Sequence, residues 1–121
     1  MTFVTFDIIG LCAESPDQGV AVGAVLPLCG GLTASTVDGR PLVQLFHPGG
    51  RLLLSIEETR LIGVPGEVHR LLGIGGEAEV PDPVWWVECR APEDDPEAET
   101  VARAFTDALV AVTGGLSWSS R

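Results

Sequence analysis

The sequence predicts an α+β fold, a mostly antiparallel sheet with two helices packed on one face. Three stretches carry that expectation. Residues 51–58 alternate Leu52, Leu54 and Ile56 with Leu53, Ser55 and Glu57, the period of a strand. Residues 84–91, "VWWVECRA", alternate again: Trp85, Val87, Cys89 and Ala91 on one side, Trp86, Glu88 and Arg90 on the other. Residues 96–113 repeat Ala98, Val101, Ala102, Phe105, Leu109 and Val112 at helical spacing, the stripe of an amphipathic helix. The 121 residues make a single domain, 1–121, long enough to bury a core without metal or disulfide staples.

The elements follow in order. Residues 3–13, "FVTFDIIGLCA", are nearly all apolar and rich in Phe, Val and Ile, as in a central strand. Ser15 can cap a helix, with Pro16 at its first position and Gln18 completing a capping box. Ala21, Ala24, Val25 and Leu28 would then share one face of a helix over 16–28. Gly19, Gly23 and Pro27 weaken that helix, and a buried strand over 20–26 is the alternative. Asp38–Gly39 is a hairpin dipeptide, and Pro48–Gly49–Gly50 is a second turn leading into the strand at 51–58. Arg60–Val64 adds a further extended piece. "PGEVHRLLG", 65–73, reads as a short helix burying Val68, Leu71 and Leu72, and 74–83 as a loop. Asp95 caps the helix at 96–113, Pro96 opens it, Glu97 and Glu99 suit its positive end, and Gly114–Gly115 stops it. Leu116 and Trp118 alternate with serines in a closing strand. The order β–α–β–β–(β/short α)–β–α–β predicts a ferredoxin-like topology.

The charge is −10, with seven Arg, no Lys and 17 acids. Residues 1–60 contribute −3 and residues 61–121 contribute −7. Such a surface repels phosphate backbones, which argues against nucleic acid and for a basic protein partner. The alternative is that the acid only keeps the chain soluble. The longest apolar stretch, 19–32, is too short to cross a bilayer and is broken by Pro27 and Gly30–Gly31, so no membrane association is expected. No leader pattern precedes it, and the three cysteines, Cys12, Cys29 and Cys89, lack paired spacing. They read as small buried apolar residues of a cytoplasmic protein.

Catalytic and ligand motifs are missing. His47 and His69 are isolated, and no Cys–X–X–Cys or His pair supports a metal. "GIGGEAE", 73–79, lacks the spacing of a phosphate loop and ends in acid. Adjacent Glu57 and Glu58 would point apart on a strand. The expectation is therefore a non-enzymatic chain with no metal and no cofactor.

The pair Trp85–Trp86 divides between the two sheet faces. Trp85 enters the core under the helices, and Trp86 goes to the opposite face. There it would pack on the Arg90 stem or a neighbouring strand, anchor a protein interface, or stack on a small ligand. The interface candidates are Trp86, Glu88 and Arg90, with Glu93 and Asp94 in the acidic run "PEDDPEAE" beyond.

"FDIIGLCAESPD", "VPGEVHRLLG" and "PVWWVECRAP…ARAFTDALVAVTGG" resemble small actinobacterial proteins similar in size and charge to immunity proteins of polymorphic toxin systems, or to accessory proteins of secretion loci. The resemblance implies a binding protein that acts by occlusion and supplies no catalytic residues. Two further classes remain open. One is a homo-oligomeric structural or sensor module, a homodimer in its simplest form, joined through the open sheet face. The other is a small-ligand binder or enzyme with its pocket between sheet and helices.

Overall fold

The computed structural model describes residues 4–64, 66–75 and 79–121. Among these, seven strands and three α-helices form: β1 (Thr5–Cys12), α1 (Gln18–Val25), β2 (Thr33–Val37), β3 (Arg40–Phe46), β4 (Leu52–Glu57), β5 (Arg60–Ile62), α2 (Glu67–Leu72), β6 (Val84–Pro92), α3 (Pro96–Thr113) and β7 (Gly115–Ser119). The α+β class and the antiparallel sheet are as expected. The strand order is β2-β3-β4-β6-β1-β7, with β5 also on β6, and every ladder is antiparallel. Within that order β6 lies between β4 and β1, and β1 lies between β6 and β7, while β2 and β3 extend the sheet beyond β4. β1 runs antiparallel to β6 along its whole length, from Thr5↔Pro92 to Cys12↔Trp85.

β4 and β5 are one strand interrupted by a bulge. Ile56 pairs with Cys89 and Arg60 with Trp86, so three residues, Glu57, Glu58 and Thr59, stand opposite two. Gln18 holds this irregularity, its side-chain amide donating to the Glu57 carbonyl at 3.0 Å and to Thr59 Oγ1 at 2.8 Å. A second shift, between β3 and β4, sets Leu53 and Leu54 against Leu45, and all three are buried.

One face of the sheet carries α1 and α3. α3 forms as its sequence dictates: Asp95 accepts from the N–H groups of Glu97 (3.1 Å) and Ala98 (3.3 Å). Its stripe of Ala98, Val101, Ala102, Phe105 and Leu109 packs with Phe6, Ile8, Leu54, Ile56, Val87 and Cys89, while Val112, expected in the stripe, is exposed. The buried Thr106 and Thr113 hydroxyls donate back to the Ala102 and Leu109 carbonyls. Gly115 follows at φ +113, against the Leu11 carbonyl oxygen, where any Cβ would collide, so only glycine turns α3 into β7. α1 is shorter than the expected 16–28. Asp17, not Ser15, is its cap, accepting from the Val20 N–H at 3.2 Å, and a 3₁₀ turn, Leu28–Gly30, follows Pro27.

The opposite face is not left open throughout. α2 covers half of it, as a shorter helix than the 65–73 reading and with Leu71, expected in the buried stripe, exposed. Val68 is buried there with Ile9, Leu11, Val84 and Trp86, and Leu72, Ile74 and Val80 pack alongside. The other half carries polar side chains and, among the described residues, no cover.

Candidate functional site

The uncovered half of the second face collects the side chains that alternation turns away from α1 and α3. Register brings them into two rows. Ser35, Gln44, Ser55, Arg90 and Asp7 lie across the strands in one. Leu42 pairs with Glu57 and Glu88 with Ile9 in the next. Arg90 reaches Asp7 at 3.2 Å, and Arg60 reaches Glu88 at 3.8 Å. Arg60 also sits over the Trp86 ring, 5.8 Å from its centroid, at the border with the apolar half.

The chemically unusual element is a carboxylate pair. Glu57, at the start of the bulge, faces Glu88 on the neighbouring strand. Partial burial raises the Glu88 pKa, and a hydrogen bond with Glu57 and the Glu57 charge raise it further, against the pull of Arg60. Ionising Glu88 beside Glu57 is therefore disfavoured relative to a free carboxyl. The pair lines a pocket of about 130 Å³ with Arg40, Leu42, Ser55 and Arg90. Around the bulge, Asp17, Gln18, Thr36, Arg40 and Glu58 border a wider open groove of about 720 Å³.

The expected site residues separate. Glu88 and Arg90 meet on this surface. Trp86 faces the same side of the sheet but is only 4% exposed, because α2 and the chain after it cover it; it belongs to the second core. Its indole N–H finds no hydrogen-bond partner among the described residues. Trp85 packs on the helix side, as its alternation predicts. Glu93 and Asp94 fall beyond the end of β6, away from Trp86. The Glu93 N–H donates to the Val4 carbonyl, and its own carbonyl accepts from Arg121 at 2.7 Å; Asp94 is exposed.

A second polar cluster lies at the N-terminus of α3. Arg51 donates to Asp95 at 2.6 Å and to Glu97 at 2.9 Å, and His47 Nε2 lies 3.7 Å from Glu97. Cys29, half-buried in a left-handed backbone conformation (φ +53), donates its thiol to Glu97. It is not the enclosed apolar residue its sequence neighbours suggest. Burial, then the Glu97 contact, raises the Cys29 pKa, so the thiol stays protonated. Burial pushes the Cys12 and Cys89 thiols up as well. Among the described residues no group of His, Cys, Asp and Glu side chains could hold a metal ion.

Sequence reasoning found Glu88 and missed Glu57, Arg40 and Arg60. The signal was present in part, since Glu57 lies on the polar side of a clear strand. What was hidden is that this strand neighbours β6. Comparison with known proteins finds no matching family model, no matching curated protein and no matching solved structure. No described helix is long and apolar enough to cross a membrane.

Proposed function

We propose that the chain is a non-enzymatic, cytoplasmic protein-binding domain that docks a basic partner on the uncovered half of its sheet and occludes it, as an immunity-type inhibitor does. The observation that carries this reading is the Glu57–Glu88 pair. Two carboxylates held together on an accessible face are a strained arrangement that an incoming Arg or Lys relieves. The cation offsets the repulsion between the two carboxylates and favours the ionised form of Glu88. The 130 Å³ pocket suits one side chain. Small-molecule sites usually run from about 300 to 1,000 Å³, so a metabolite fits it less well. The free thiols of Cys12, Cys29 and Cys89 are consistent with a reducing compartment.

The test is a pull-down from host lysate with wild type and the double variant Glu57→Gln/Glu88→Gln, read by mass spectrometry. Wild type is expected to capture one basic protein that the variant releases, with capture weakening as salt rises. Affinity should increase with pH through the raised Glu88 pKa, since binding needs both carboxylates ionised. Recovery of no basic protein at physiological salt, or equal capture by the variant, refutes the reading. Trp86→Ala is not the variant to use, because it would hollow the second core at a cost of about 3–5 kcal/mol.

A further inference from the structure

The geometry points to β2 as a self-association edge, where a second copy of this chain adds its own β2 antiparallel and joins two sheets into one. β2 is the terminal strand of the sheet, so one side of its backbone meets no strand among the described residues. Thr33, Ala34, Ser35 and Thr36 are all exposed, so neither face of the strand is covered by a helix. The sequence Thr-Ala-Ser-Thr-Val contains no charge and no proline, the usual devices that keep an edge from pairing.

Charge selects the occupant. The molecule carries −10, yet residues 26–50 carry only Asp38 and Arg40, which cancel. A basic partner gains nothing at a neutral edge. A second acidic copy, repelled over most of the surface, meets least repulsion there. β7, the other edge, is uncharged in its own residues but packs beside α3, whose Glu97, Glu99 and Asp107 outnumber Arg103. An antiparallel strand pairing with itself is two-fold symmetric, so it closes as a dimer. The register that sets Ser35 against the partner's Ser35 pairs Ala34 with the partner's Thr36, while Val37 lies past the irregularity in the β2–β3 ladder at Thr36–Val37. The seam is short, so the dimer is weak and depends on concentration.

The test is light scattering across a concentration series at low and high salt. The mass of wild type should climb from 12.7 kDa toward twice that value, further at high salt, as screening removes the repulsion between copies. That salt dependence is opposite to the one expected for a basic partner, so the two readings fail separately. Ser35→Lys and Thr36→Pro, each checked for fold by circular dichroism, should remain at the monomer mass. Wild type that stays monomeric at high salt and high concentration overturns the inference. So does a dimer that survives both edge variants, or one lost in Glu88→Gln. Growth past twice the monomer mass would indicate β2-to-β7 stacking and overturns it as well.

Discussion

Two clusters of acid sit in this molecule under opposite conditions. At the start of α3, Asp95 and Glu97 are matched by Arg51, by helix N–H groups and by the Cys29 thiol. On the polar half of the sheet, Glu57 and Glu88 face each other, with Arg60 at 3.8 Å from Glu88. The first arrangement lowers its carboxyl pKa values and the second raises one. For Asp95, burial alone would raise the pKa, but the Arg51 hydrogen bond and charge and the Ala98 and Glu97 N–H groups outweigh it. Glu97 is lowered first by the Arg51 hydrogen bond and then by the Cys29 thiol. Matched acid holds the fold together, while mismatched acid is tolerated at a cost and is available to something else.

The comparison breaks most readily at Asp95. Asp95→Ala removes the cap of α3 and the anchor of Arg51 together, and should lower stability by about 1–2 kcal/mol in urea unfolding. A neutral outcome would mean the matched cluster is as dispensable as an exposed charge. Next comes pH. The depressed Asp95 contributes stability that is present above the ordinary carboxyl range and is lost as pH falls through its folded pKa. The raised Glu88 acts with the opposite sign. Its charge penalises the fold above its raised folded pKa, and the penalty disappears as pH falls to the ordinary Glu value, about 4.3. Unfolding midpoints over a pH series should therefore rise slightly as pH falls through the Glu88 window, then drop through that of Asp95.

Glu88→Gln should remove the first slope and stabilise the protein at neutral pH by about 0.5 kcal/mol, the scale of a like-charged cross-strand pair. A loss of stability in this variant would show that the Arg60 contact, and not the Glu57 repulsion, dominates at the site. The smallest effect belongs to Arg103→Ala, which breaks an exposed pair with Glu99 and should change stability by less than about 0.5 kcal/mol. It sharpens the contrast, because pairing alone, without a cap or burial, is not what makes the Asp95 cluster structural.

The matched cluster was half legible in the sequence. Asp95, Pro96 and the apolar stripe announce a capped helix because all of those signals lie within a few residues of one another. Arg51, 44 positions from Asp95, announces nothing. Distance along the chain hid the pairing of the mismatched acids, since Glu57 meets Glu88 only through a strand order that periodicity does not encode. The cover over Trp86 was hidden for a similar reason. α2 was readable as a short helix, but nothing local says which side of the sheet it takes. At α1 the local signals competed: Ser15 and Asp17 both suit a cap, and the position nearer the apolar run prevailed.

The bulge at Glu57–Thr59 acts as a phase shift. Leu54 and Ile56, even-numbered, point toward α1 and α3; from Arg60 onward, even-numbered residues point the other way. That is how one strand serves two cores, sending Ile56 into the first and Ile62 into the second. Were Glu57, Glu58 and Thr59 to pair one for one instead, the alternation would run on unbroken: Arg60 and Ile62 would rotate toward the helices, Leu61 would turn toward α2, and Trp86 and Glu88 would both lose the guanidinium beside them. The bulge is thus a one-position counter for the second half of the strand, and the Gln18 amide that holds it keeps the count.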